Sequence, residues 1–497
     1  MTNALTVLSK WTKHPGLKLG ILISAILFLY GPALKYSFFQ DDFYTLAKSQ
    51  AASLKDLFGF FLPGGEIYYR PLSMRFYFWL VTNISGPKAI VFHALSLSIH
   101  LLNAILIWRL LKTLTSNSSL GWLSSFIYAT SSVHFLSLFW IAEVGLLLGI
   151  TTYLVTLQHA TEYLIKGARR SLIKTIFWFG VGLLTHEFIV TAPVAIVAVY
   201  LLKRQKAPKP SSRALIKLIS PLISLVALYL IARFFLMPLP ASGSYAINLN
   251  QASLKALFWY SLWSFNLAEG LKDQLEPGPR LNLTFWHTFP FLTLTTVLFL
   301  IAITVFLIGM SLAFYLRATT ATKTRIKTLG LFSLVWFVAT ISLPLATPYH
   351  LYPLYGSLSL VAISTTIAAS LWWLYPHRSL VATAFLFLWV AFSKQTLVFT
   401  EMRHWAVQEA KRVEQTFTAS KQEFPTLPKG STLVLHADYQ IQEALYGDLG
   451  LQFLYRDPTL KTYFGPATTI MPDACKMEVI PTACLQQHLI FVLPQRK

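Results

Sequence analysis

Long apolar runs recur along this chain, broken by short polar segments, and their spacing sets the architecture to expect. Many of these runs approach the ~20 residues that a helix needs to cross a bilayer. Unpaired backbone groups are too costly in lipid, so the spans should be helical. The pattern predicts about eleven of them, near 17–36, 89–110, 119–140, 144–165, 172–186, 188–202, 215–237, 289–316, 328–347, 354–374 and 379–399. With the N-terminus inside, segments 37–88 and 238–288 and the tail from about 400 fall outside. The first run, "GLKLGILISAILFLYGPAL", lacks a clear small-residue cleavage site and reads as an uncleaved span. Between Lys174 and Lys203 there is room for one long span or two short ones. A single span would carry the basic 203–217 loop outside, so two short helices meeting at Thr185–Glu187 are expected, with Pro193 at the break.

From about residue 400 the pattern changes. "EMRHWAVQEAKRVEQTFTASKQEF" reads as an amphipathic helix leaving the membrane, and "STLVLHA" and "HLIFVLP" read as buried strands. The expected fold is an all-α polytopic membrane domain over residues 1–400, followed by a small external α/β domain over 401–497. Cys475 and Cys484 both lie in that second domain, as a disulfide if the compartment is oxidising or as two separate thiols. No internal repeat or low-complexity segment is evident.

Composition agrees: 55% of the 497 residues are hydrophobic and only 12% charged, against roughly 25% charged in soluble domains. The formal net charge of +21 would suggest a nucleic-acid partner were it gathered on one face. Instead Lys and Arg sit in short segments between spans, around Lys10–Lys18, Arg109–Lys112, Lys166–Lys174, Lys203–Lys217 and Arg317–Lys327. That is the positive-inside pattern, so the partner implied is the bilayer and not nucleic acid. The acids segregate the other way. Before residue 400, Asp41, Asp42, Asp56, Glu66, Glu143, Glu187, Glu269, Asp273 and Glu276 all fall outside or at outer span ends, and only Glu162 falls inside. Acids contribute little to orientation, so their placement points to external chemistry.

Asp41 and Asp42, in "KYSFFQDDFYTLAKS", are the leading candidates. Either they start an interfacial helix, or they form a pair whose mutual repulsion raises a pKa and suits one of them to general-base work. The flanking aromatics should draw the pair toward the interface. Arg70 and Arg75, in "YYRPLSMRFYFWL", are snorkelling surface arginines or anion ligands. His93, His100 and Asn103 share one stripe of the second span and suit interhelical hydrogen bonding. His134 and Glu143, in "VHFLSLFWIAEV", and His186 and Glu187, in "LLTHEFIVTAP", place carboxylates at a depth where each needs a partner or a task. Arg233 and His350, at outer ends, are helix anchors or phosphate ligands. There is no HExxH and no Cys cluster, so no metal site is read from spacing.

The ordered set "FFQDDF", "YYRPLS", "HALSLSIHLLNA", "VHFLSLFWIAEV", "LLTHEFIVTAP" and "YHLYPLYGSL", over about residues 20–360, resembles the GT-C glycosyltransferases, a class that includes protein O-mannosyltransferases and aminoarabinose transferases. Two positions depart from that pattern: His186 stands where relatives often have Lys, and His350 where Arg is common. The resemblance implies inverting transfer of a sugar from a polyprenyl-phosphate donor to an acceptor on the outer face of a cell membrane, with Asp41 as base and Asp42 orienting it. The phosphate would be held by Arg70, Arg233 or His350. His134, Glu143, His186 and Glu187 would position those cations or bind sugar hydroxyls. A divalent cation is compatible with this chemistry and not required. The compact chain without a retrieval signal suggests a bacterial plasma membrane.

Other classes fit less well. A lipid-linked polysaccharide polymerase or ligase would be expected to carry its Arg and His in a large late external loop, and 238–288 holds few. A transporter or lipid-carrier flippase would favour pseudo-symmetric halves and charge deep in both.

Overall fold

The computed structural model describes residues 14–493 apart from 65, 205–208, 238–239, 241, 277–279, 282, 374–377, 437–438 and 476–481. Its described elements are predominantly helical. The ones used below are α1 (Pro15–Tyr30), α2 (Asp41–Lys48), α3 (Ala89–Thr115), α4 (Ser118–Ala129), α5 (Val144–Lys166), α6 (Arg169–Leu183), α7 (Ala192–Arg204), α8 (Ser212–Leu236), α9 (Gln251–Trp263), α10 (Pro290–Arg317), α11 (Thr320–Ala346), α12 (Leu360–Trp373), α13 (Arg378–Arg403) and α14 (Trp405–Glu423).

Among the described residues, seven helical segments are long and apolar enough to span a membrane: Pro15–Lys35, Ala89–Thr115, Ile141–Lys166, Ser212–Leu236, Pro290–Leu316, Thr320–Ala346 and Leu380–Arg403. The chain is accordingly a multi-pass helical membrane protein. Four of the expected spans are shorter helices. Segment 119–140 becomes α4, of 12 residues, followed by short turns. Segments 172–186 and 188–202 become α6 and α7, of 15 and 13 residues, and 354–374 becomes α12, of 14. Each is cut short where the backbone turns out of helix, at 130–143, 184–191 and 347–359.

Such breaks need other partners for their backbone groups. At 184–191 the π-helical turn Leu72–Phe76 supplies them. Leu72 N–H donates to Leu184 O (3.0 Å), and the Ser73 hydroxyl donates to Thr185 O (2.7 Å). Gly149 of α5 lets the break lie close, since a Cβ there would come within 2.5 Å of His186 Cβ. At 130–143 the Asn266 side chain accepts from Ser132 N–H (2.9 Å) and from the Ser131 hydroxyl (2.8 Å).

The breaks gather at one end of the bundle. Phe92, near the start of α3, packs on Phe38 and Tyr77. At the other end of α3, ~40 Å away for 27 residues, Thr113 O accepts from Lys203 (2.6 Å). Lys18 stacks over Trp108 at that basic end too.

After residue 404 the chain forms a small α/β lobe. Its described sheet has three parallel strands, β1 (Thr432–Leu435) between β2 (Lys461–Phe464) and β3 (Ile490–Leu493), with Thr432 aligned to Lys461 on one side and Ile490 on the other. β1 and β3 are the two strands expected from the pattern, while β2 lies in "KTYF". Cys475 and Cys484 are joined in a disulfide. The lobe packs against the acid-bearing end: Phe453 meets both Phe38 (5.5 Å) and Phe43 (5.6 Å).

Candidate functional site

The acidic pair opens α2, where negative charge suits the exposed N–H groups of a first turn. The two carboxylates have different employment. Asp42 is fully buried. Its Oδ2 accepts from Phe39 N–H (3.0 Å) and its Oδ1 from Ala142 N–H (2.7 Å), so it ties the start of α2 to the turn between α4 and α5. Burial pushes its pKa well up against the pull of those two donors, and the charges of Asp41 and Glu143 push further. Asp41 makes no side-chain hydrogen bond or ion pair among the described residues. Its pKa is raised by burial and then by the Glu443 carboxylate of the C-terminal lobe. Once ionised it is therefore a stronger base than a surface aspartate.

The aromatics around the pair do not face an interface, as expected from sequence, but lie inside the protein. Phe39 stacks on Trp140 (5.8 Å) and meets Trp405 edge-on (6.3 Å), and Phe43 packs on Phe417 and Phe453. They clamp α2 between the helical bundle and the lobe. The bend that presents Asp41 is strained. Gln40 has φ 46° and ψ −122°, values of the first central residue of a type II′ turn, normally glycine. Its N–H donates to Ala444 O of the lobe (2.8 Å).

Arg70 precedes Pro71, which disfavours helix at Arg70, and Met74 N–H then closes on Arg70 O (2.9 Å) as the next helical segment begins. Arg70 is 8% exposed, and its guanidinium meets Glu187 as a fork, Nε to Oε2 at 2.8 Å and Nη2 to Oε1 at 2.5 Å. His186, fully enclosed, caps the same break by accepting Phe188 N–H at Nδ1 (3.3 Å) and sits 3.7 Å from Glu187. The sequence-predicted break therefore exists, and its two polar residues are brought to Arg70.

Around this fork stand tyrosines that sequence reasoning did not single out. Arg70 lies over the ring of Tyr68 (4.5 Å), Tyr68 meets Tyr245 (5.3 Å), and Tyr245 lies on His350 (3.9 Å). His350 Nε2 is 2.8 Å from the Tyr355 hydroxyl. Burial and the Arg70 charge pull the His350 pKa down to about 4, so it offers a hydrogen bond and not a charge. Glu143 is within electrostatic reach of Arg70, Asp41 and Glu187, and its Oε2 is buried with no partner among the described residues. Arg233 donates through Nη2 to Ile67 O, fixing the strand of loop that leads to Arg70, while its Nη1 is buried without a partner among the described residues. Beside the loop lies a groove of about 200 Å³ whose lining includes Lys48, Glu66, Tyr68, Arg70 and Arg75. Arg75 is ion-paired with Glu66, which also accepts from the Tyr44 hydroxyl (2.6 Å).

Asp41, Asp42, Arg70, Glu143, His186, Glu187, Arg233 and His350 thus meet at one end of the bundle, from six separate segments. His134 does not join them. It is buried against His100 (4.5 Å) and Tyr128 (4.6 Å), with Nε2 on Tyr128 O (2.9 Å), in an interhelical cluster. Among the described residues the one trio of potential metal ligands close enough to share an ion is Cys475, Cys484 and His488, and its sulfurs are bonded to each other. Tyr68 and Tyr355 carried a weak signal in the tyrosines of "YYRP" and "YHLYPLY"; Tyr245 and Glu443 carried none. The chain matches no known family model and no curated protein.

Proposed function

We propose that this protein is a GT-C-type glycosyltransferase that moves a sugar from a polyprenyl-phosphate donor to an acceptor hydroxyl at the outer face of a cell membrane, in a bacterium. The observation that carries the reading is Asp41: a half-buried, uncommitted carboxylate that acts electrostatically on Glu143 and Tyr245, the same groups that feel the fork's Arg70, at the end of a membrane bundle.

In the reaction, Asp41 takes the acceptor hydroxyl's proton as its oxygen bonds to the anomeric carbon from the face opposite the phosphate. The bond from that carbon to the phosphate oxygen breaks, and the polyprenyl phosphate leaves with the electron pair. Configuration inverts. The leaving group is already an anion, so it needs positive charge and not a proton. Arg70 suits this: Glu187 holds its Nε and Nη2 and so orients the remaining edge, next to a groove that also exposes Lys48. Arg233 and His350 act at one remove, the first by fixing the Ile67 carbonyl and the second by hydrogen bonding. Asp42 positions the base through its two backbone contacts.

Two features support the outer face. The lobe that bonds the Asp41 turn carries a disulfide, which persists in oxidising compartments. The Lys-rich segments collect at the opposite end of α3. A carrier would instead need a charged site reachable from both ends. The reading is tested in proteoliposomes whose orientation is known from impermeant labelling of Lys55→Cys. A panel of polyprenyl-phosphate sugars should yield free polyprenyl phosphate with acceptor on the labelled side only. Consumption of no donor, or consumption driven from the other side, overturns it.

A further inference from the structure

The C-terminal lobe does more than flank the site. Its segment Tyr439–Tyr446 lies against the strained turn that presents Asp41: Ala444 O receives the Gln40 N–H (2.8 Å), and the Tyr446 ring packs on Tyr44 at 5.3 Å. Tyr446 is itself in the left-handed region, at φ 50°. The segment is anchored from behind by Arg412 of α14, which donates to the Gln440 side chain (2.5 Å). Tyr439, Gln442, Glu443 and Tyr446 are all exposed, and Glu443 makes no ion pair among the described residues. Glu443 acts electrostatically on Asp41 and on Tyr352, and Tyr352 also feels Glu143, whose buried Oε2 has no partner among the described residues.

We infer that this segment is the acceptor wall of the Asp41 site, and that the acceptor is a carbohydrate, held by the Tyr446 ring face and by the Glu443 carboxylate. The identification rests on the chemistry of the wall. Exposed tyrosine rings cover the C–H face of a pyranose, and unpaired carboxylate and amide groups beside them accept and donate to its hydroxyls. A lipid acceptor would call for an apolar wall, and Gln442 and Glu443 make this one polar beside the Tyr446 ring. The wall and the groove meet at Tyr44 of α2: Tyr446 packs on its ring, its hydroxyl donates to Glu66 of the groove lining (2.6 Å), and Lys48 and Arg75 lie over it.

This inference rests on the transferase reading for its term "acceptor", but its test does not need turnover. The full chain in detergent is applied to a glycan array, beside Tyr446→Ala, Glu443→Gln and an exposed control, Lys411→Gln. Wild type and control should retain at least one glycan class, and each wall variant should lose at least tenfold in binding. Retention of no glycan, or binding indifferent to Tyr446 and Glu443, overturns the inference. Should array binding depend on the wall while no polyprenyl donor is consumed, the glycan site stands and the transferase reading falls. Correct folding of the variants is read from an unchanged unfolding midpoint. If Tyr446→Ala lowers it, Tyr446→Phe, which keeps the ring, should restore both the midpoint and the binding.

Discussion

Two regions at the same end of the bundle leave regular helix to place acids beside one another, and they use them in opposite ways. At 184–191 the break is covered. Its carbonyls are taken by Leu72 and Ser73, its Glu187 is held through both oxygens by Arg70, and His186 caps the turn. At 39–42 the turn is strained at Gln40, Asp42 is spent on two backbone donors, and Asp41 is left over. A carboxylate whose oxygens are both engaged is part of the scaffold. One that is half-buried and unengaged is available for chemistry, and the contrast separates two aspartates that are adjacent in sequence.

The contrast can be broken by substitution. The largest stability effect is expected at the covered break. Arg70→Ala strands Glu187 and should lower the unfolding free energy by about 3 kcal/mol, the low end for a broken buried pair because Glu187 keeps a third of its side chain exposed. Chemical unfolding in detergent measures it, and a loss near zero would mean that the fork does not hold the break.

Asp42→Asn should lose about 1–2 kcal/mol, because an amide keeps one acceptor where two N–H groups need one each. Full stability would show that Asp42 is not the tether between α2 and Ala142. The smallest effect is a gain. Gln40→Gly should relieve the positive-φ strain and raise stability by about 0.5–1 kcal/mol. A loss of that size would place the strain elsewhere.

Much of this arrangement was legible in the sequence because bilayers constrain it so strongly. Runs of apolar residues gave the helical membrane body, the separation of Lys and Arg from Asp and Glu gave its two unlike ends, and the awkward length between Lys174 and Lys203 exposed the break at Thr185–Glu187. What escaped depends on tertiary contact. Segment 119–140 is as apolar as a span, yet it breaks after Ala129 because Asn266, far along the chain, receives its backbone N–H. The aromatics of "YSFF" look interfacial by composition, and only the lobe's Phe453 and the Trp140–Trp405 pair reveal why they are buried. His134 has the same residue type as His186 and His350, but its neighbours Tyr128 and His100 make it a packing residue. Nothing in the pattern of α1 to α13 announced that a residue of the tail, Glu443, would reach Asp41.

The most direct measurement concerns the unengaged carboxylate itself. Asp41→Asn, prepared beside wild type, is scored in one experiment for unfolding midpoint and for single-turnover release of polyprenyl phosphate from a lipid-linked sugar. Since the Asp41 side chain makes no hydrogen bond or ion pair among the described residues, and burial and Glu443 disfavour its charge, the midpoint should hold or rise slightly. Release should slow by about 10³-fold, the scale of a lost general base. Release within a few-fold of wild type without a lowered midpoint would contradict the assignment of Asp41 as the base.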